Sequence, residues 1–289
     1  MFSSSFYNLG LMISHISDIK IFLKTIPKDK LPKVIILGLD QWMFNEDWAS
    51  NKSFKNHNYW ENSFRFFPNK SDVHFVYSKI FKEELQYFET LKKAISSKNK
   101  FGLSALVKNS GIRFDGSKNY GEKIQLLVNK KKVNYSLEFA NIIDRINNSN
   151  RRFQYGETPR QESFLELSEV LDIIKNNNIK LISLFTPFSK KVYDKMNESD
   201  IRYDYIKKSA ERLNILFAAY GFEFWDYSNP SIINSSNIEF IDGFHGGELT
   251  YAKILLNMSE NNSLANKYIS YGSLKNDIKN TKNKLIIYD

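Results

Sequence analysis

Three strand-sized apolar runs constrain this chain's fold more than any other feature. "KVIIL" (33–37) is a continuous β-branched run ending at Gly38, and "IKLISLF" (179–185) repeats the form before Thr186-Pro187. "FEFWDY" (222–227) is a third, preceded by Gly221 as a helix stop. Helical patterns separate them. In "QESFLELSEVLDIIKNNN", Phe164, Leu165, Leu167, Val170, Leu171 and Ile174 fall at helical spacing. In "SDIRYDYIKKSAERLNILFAAYG", Ser199 or Asp200 is placed to cap a helix that stops at Gly221. Apolar strands alternating with amphipathic helices predict an α/β fold with a doubly wound parallel sheet.

The region 46–158 breaks that rhythm. It is aromatic and polar ("WASNKSFKNHNYWENSFRFFPNK", then "GIRFDGSKNYGEKIQLLV"), with a helical stretch near 78–97 and a small hairpin expected around "IQLLVNKKKVNYSL". It reads as an insertion over one edge of the sheet, a cap within a single domain spanning 1–289. No internal repeat is visible, and the tail beyond Asn262 is Lys/Asn-rich and expected to pack loosely.

Composition removes several function classes. With 42% hydrophobic and 15% aromatic residues, the chain can bury a core. The longest apolar runs fall far short of the ~20 residues that span a bilayer. The start "MFSSSFYNLGLMISH" lacks a basic n-region and a long apolar core, so the chain reads as soluble without a signal peptide. Zero cysteines exclude disulfides, thiolate metal sites and a Cys nucleophile. The net charge of +9 invites a nucleic-acid partner. The lysines are scattered among asparagines, however, which describes a solvated surface rather than a polyanion groove, so none is assigned. His57 and His74 lack neighbours at zinc-ligand spacing, and there is no Walker or dinucleotide-binding glycine loop, so neither metal nor cofactor is expected.

One stretch reads as chemistry: "FIDGFHGGELTYAKIL" (240–255). Asp242 stands three residues before His245 in a Gly-rich turn, just after the last candidate strand, and ligand sites in open α/β sheets lie beyond the strands' carboxyl ends. In a tight turn the carboxylate can reach a ring N–H and fix the imidazole tautomer, as an orienter serves a general base. The competing reading is an ordinary Asx turn leading into a helix. Two weaker candidates carry the same ambiguity. "GIRFDGS" offers Arg113, Asp115 and Ser117 as a substrate-contacting loop, though a simple Asp-Gly turn is the favoured reading. Trp42, Trp48, Tyr59 and Trp60 could stack on sugars, though core of the insertion is preferred.

"FYNLG" (6–10), "VIILGLD" (34–40) and "IDGFH" (241–245) resemble, in order and spacing, three blocks of the SGNH (GDSL-like) hydrolase superfamily. "GLDQWMFN" (38–45), "GIRFDGS" (111–117) and "LFTPFSKKVYDKM" (184–196) resemble a bacterial subgroup associated with cell-envelope polysaccharide. The resemblance implies a flavodoxin-like sheet and a serine esterase or O-acyltransferase acting on acylated carbohydrate or another ester. It implies that His245 is the base and Asp242 its orienter, with a backbone N–H of Gly10 and the pocket formed by Gly38 and Asp40 near the oxyanion. The family's third-block Asn position falls on Asp40, whose carboxylate would repel a developing oxyanion. Asp40 is therefore expected to organise the pocket or a hydroxyl.

The first block, a strand ending in Gly-x-Ser, has no counterpart. "MFSSS" has neither an apolar strand nor a glycine elbow, so Ser3, Ser4 and Ser5 read as a polar segment. In strand order 2-1-3-4-5 the missing strand is central. Its loss should force "FYNLG" against "KVIIL" or leave unpaired backbone groups at a buried seam. The expectation is a truncated or late-started chain with little esterase activity of its own. An intact relative would be extracytoplasmic or membrane-anchored, touching the membrane only through that upstream segment. The alternative function is a non-catalytic carbohydrate-binding or envelope-assembly protein of the same fold.

Overall fold

Parallel pairing of the three apolar runs organises the protein. The structure, a computed structural model, describes residues 5–10, 13–50, 70–96, 111–113, 115–119, 124, 127, 139–199 and 201–288. Strand β1 (Val34–Leu39) pairs with β2 (Lys180–Phe185), and β2 pairs with β3 (Glu223–Asp226), all parallel and in the order β1-β2-β3. Leu37 lies opposite Ser183, whose hydroxyl also donates to the Leu37 carbonyl at 3.1 Å.

Alternation along the strands sends side chains to two cores. Leu37, Leu39, Leu181 and Phe185 join the cluster built by helices α1 (Ile16–Thr25), α3 (Ala140–Asn147), α4 (Gln161–Asn176), α5 (Lys190–Met196) and α6 (Asp204–Tyr220). Ile182, Leu184 and Tyr227 join the cluster of α7 (Glu248–Glu260) and α8 (Tyr271–Asn280), with Ile36 and Trp225 packed against it. The short helix α2 (Glu46–Ser50) follows β1. The result is a mixed α/β unit whose three-stranded parallel sheet is flanked by helices. β2 is buried from Leu181 to Phe185, as the central strand should be.

Local chemistry sets the element ends. Gly221 takes φ +76° and closes α6 in the left-handed conformation the sequence predicts for it. At the other end of α6 the capping expectation fails. Tyr203 is the N-cap, Ser199 lies upstream in a bend, and Asp200 is outside the described residues.

The sheet edge differs from the sequence expectation. "FYNLG" forms no strand; its Asn8 N–H donates to the Asp115 carbonyl at 2.6 Å. β1 is an edge strand, its outer side unpaired among the described residues, and Gly38 on it is exposed. At Gly38, where the strand is exposed, backbone groups can reach water and the penalty for leaving them unpaired is reduced.

Residues 5–12 and 56–131 form a second compact unit, separate from the sheet unit of residues 1–4, 13–55 and 132–289. Its described parts are helices Lys70–Phe81 and Tyr87–Ser96 and a two-residue antiparallel ladder, Gly111–Ile112 with Lys118–Asn119. The hairpin expected over 124–137 lies outside the described residues except at 124 and 127, which are helical. Ser3, Ser4, His57, Tyr59 and Trp60 are also outside them. Among the described residues, no helix is long and apolar enough to cross a membrane.

Candidate active site

A single glutamine ties together the carboxyl ends of the three strands. Gln41, directly after β1 and 1% exposed, donates from Nε2 to the Thr186 carbonyl beyond β2 (2.7 Å) and to Ser228 Oγ beyond β3 (3.0 Å). The loop that carries Asp242 and His245 packs at this end. Ser189, the N-cap of α5, donates its N–H to the Gly243 carbonyl at 2.7 Å.

The loop is a small antiparallel turn. Phe240 bridges Gly246, and the Ile241 N–H donates to the His245 carbonyl at 2.8 Å. Gly243 sits at φ +96°, and a Cβ there would lie 3.0 Å from Val192 Cγ2 and 3.3 Å from Phe139 Cγ. Glycine is required by both dihedral and contact. Behind the turn, buried Glu239 binds Lys253 Nζ at 2.8 Å and the Ser235 hydroxyl at 2.8 Å, while its carbonyl accepts the Gly247 N–H. A buried carboxylate is tolerable here because it is paired and hydrogen-bonded.

The turn delivers the pair that the spacing suggested. His245 Nδ1 lies 2.9 and 2.8 Å from the two oxygens of Asp242, and the His245 backbone N–H donates to Asp242 Oδ1 at 3.0 Å. A carboxylate clasping Nδ1 favours the tautomer with its proton there, leaving a lone pair on Nε2. Nε2 has no hydrogen-bond partner among the described residues, and the His245 side chain is 42% exposed. The Phe244 ring, 4.1 Å from the imidazole, covers part of it.

Asp40 lies within electrostatic reach of His245, at the end of β1. Burial pushes its carboxyl up to about 6, and the charges of Arg152 and His245 pull the other way. A desolvated carboxyl that titrates near neutrality can hold a proton or hydrogen-bond a hydroxyl.

Two arginines complete the surroundings, and neither was singled out by sequence reasoning. Arg152 stacks over Trp42 at 5.0 Å, Trp48 at 5.5 Å and Phe244 at 6.0 Å. Its loop is held by Asn45, whose Nδ2 donates to the Gln154 and Tyr155 carbonyls, both at 3.1 Å. Ser149, Arg151 and Arg152 all have left-handed φ, at +50°, +49° and +81°. Each such non-glycine residue costs about 1 kcal/mol or more. Arg145 stands on α3, one turn beyond the Ile142 side chain that packs against Gly243. Burial draws its pKa below the usual range, and so do Arg151 and Arg152, while Asp242 raises it. The usable signal was "SNRRF" close behind an amphipathic helix, but nothing in those letters announces a left-handed turn.

The remaining sequence candidates divide between the units. Gly38 lies on β1 two residues before Asp40. Gly10, Arg113, Asp115 and Ser117 belong to the second unit. Gly10 donates its N–H to Asn8 Oδ1 at 2.9 Å. Arg113–Ser117 forms a tight turn in which Asp115 Oδ1 accepts the Ser117 N–H (2.9 Å) and hydroxyl (2.6 Å). Partial burial would raise the Asp115 carboxyl, but Ser117 and Arg113 hold it below the usual range. Gly116, at φ +78°, is needed because a Cβ would lie 2.0 Å from the Asn8 carbonyl oxygen. That contact within the second unit gives the loop a structural role. A cavity of about 430 Å³ lined by Lys28, Lys33, Lys180 and Tyr268 lies at the opposite ends of β1 and β2, with no imidazole or carboxylate in its lining.

Comparison with protein families, with curated proteins and with solved structures gives no match to this chain. What can be said of its chemistry rests on the geometry and on the residues that carry the resemblance.

Proposed function

We propose that the protein carries the base and its orienter of an SGNH-type site for ester chemistry, of an esterase or O-acyltransferase lineage acting on acylated cell-envelope carbohydrate. The observation that carries the reading is the Asp242 carboxylate on His245 Nδ1, with Nε2 open, beside the carboxyl ends of a parallel sheet. The strand order supports it. Among the described residues the order β1-β2-β3 is compatible with strands three, four and five of a 2-1-3-4-5 sheet, with room beside β1 for a strand ending in Gly-x-Ser.

In that chemistry a Ser hydroxyl attacks the ester carbonyl while His245 Nε2 takes its proton, and Asp242 stabilises the resulting imidazolium. The same proton then passes to the departing sugar oxygen. Water or a second sugar hydroxyl, deprotonated in turn by His245, releases the acyl group. Since no serine reaches Nε2 among the described residues, the chain as given should turn over esters slowly at most. A non-catalytic carbohydrate-binding protein is the second reading, favoured by that unengaged Nε2 together with the guanidinium of Arg152 held over Trp42 and Trp48.

The test is p-nitrophenyl acetate turnover by this chain and by a version extended upstream with a strand ending in Gly-x-Ser. The extended chain should gain turnover that His245→Ala abolishes. Robust His245-dependent turnover by the unextended chain would show that a nucleophile within it reaches Nε2. Turnover in the extended chain that survives His245→Ala, or no turnover in a folded extended chain, would overturn the ester reading.

A further inference from the structure

The cations beside the dyad bear on the substrate's charge. Among the described residues, neither Arg145 nor Arg152 makes a side-chain hydrogen bond or close ion pair. Arg151 and Arg152 nonetheless lie close enough to Arg145 for their charges to lower its pKa, and left-handed backbone holds both of them in place. Like charges gathered this way repel. Asp242 acts on Arg145 and Asp40 on Arg152, but three guanidinium groups facing two carboxylates, one of them raised to about 6, still favour a further anion.

A second observation points the same way. Trp42 Nε1, Trp48 Nε1 and Arg145 Nε are buried donors without an acceptor among the described residues, and Trp42 is only 4% exposed. Native interiors satisfy nearly all such groups, so three orphan donors gathered around Arg152 call for a ligand that supplies acceptors.

We infer that the acyl-bearing ligand is an acidic carbohydrate, its carboxylate or phosphate held by Arg145 and Arg152 beside Trp42 and Trp48 while its ester meets His245. The carbohydrate and the position of its ester rest on the proposed ester chemistry; the binding of an anion does not.

The experiment titrates the full chain with glucuronate, glucose 6-phosphate, glucose and inorganic phosphate, read by tryptophan fluorescence and calorimetry. At least one sugar acid should bind at least about tenfold tighter than glucose, and Arg145→Gln and Arg152→Gln should each weaken it about tenfold. The tighter of the two acids identifies the oxyanion. Thermal melts and Arg152→Lys, which keeps the charge, establish that the variants are folded. The wild-type affinity should also fall from about 0.02 to about 0.5 M salt. Equal binding of glucose and the acids, acid affinity unchanged in folded variants, or a flat salt response would overturn the inference. Inorganic phosphate binding as tightly as the sugar acids would overturn its carbohydrate part. Binding is read without turnover, so the two proposals fail separately. Acid binding without His245-dependent turnover in the extended chain refutes only the ester reading. Turnover of neutral esters through His245 with no acid binding refutes only this one.

Discussion

Replacing Asp40 with Asn should make the protein more stable at neutral pH, and the gain should vanish in acid. Burial raises the Asp40 carboxyl from 3.8 to about 6, so the native state binds this proton more tightly than the unfolded chain does. The associated stability is complete below the unfolded value and is lost as pH rises through about 6. The full rise corresponds to about 3 kcal/mol, and Asp40's partial exposure brings the working expectation to about 1–3 kcal/mol. Asn keeps the shape and removes the charge. Urea unfolding of both proteins, followed by tryptophan fluorescence between about pH 3.5 and about pH 7.5, gives the difference at each pH. Subtracting one protein from the other cancels carboxylates with the opposite slope, such as Asp115. The Asn variant should gain on the parent steadily through that range and level off above about pH 7. A pH-independent difference, or a variant less stable at neutral pH, would refute the assignment of Asp40 as a desolvated carboxyl.

Two further substitutions test how the site is held. Gly243→Ala should destabilise the protein by about 2–4 kcal/mol, since it combines a left-handed dihedral with contact against Val192 and Phe139. A smaller loss in the urea midpoint would mean that the turn relaxes easily. Lys253→Met should cost about 3 kcal/mol by leaving Glu239 buried without its cation, and adding Glu239→Gln should recover much of it. Additive losses in that cycle would show that the pair is not coupled.

The sheet was legible because its signals are local. The runs at 33–37, 179–185 and 222–227 became strands at 34–39, 180–185 and 223–226, and the periodicity of 164–174 became α4. Gly221 is a stop for a reason that needs no tertiary knowledge. The Asp242–His245 contact was legible for the same reason, since three residues of turn suffice to bring the groups together. The pairing of "FYNLG" was not legible. Its partner, the loop at Asp115–Gly116, is more than a hundred residues away, and the contact rests on a backbone carbonyl meeting a glycine. Arg152 was missed because left-handed φ at Ser149, Arg151 and Arg152 has no glycine or asparagine to mark it. Trp42 and Trp48 look like core in sequence, and Trp42 is buried; that a guanidinium also lies over both rings is a tertiary fact.

The central claim is that Asp242 holds His245 as an oriented base, and ¹⁵N NMR of histidine-labelled protein tests it most directly. At about pH 8, above the ordinary imidazole range, His245 should carry its proton on Nδ1 and show Nε2 as the bare, lone-pair nitrogen. Asp242→Asn should abolish that preference while the fold is retained. A proton found on Nε2 in the parent protein, or a tautomer unchanged by Asp242→Asn, would contradict the account.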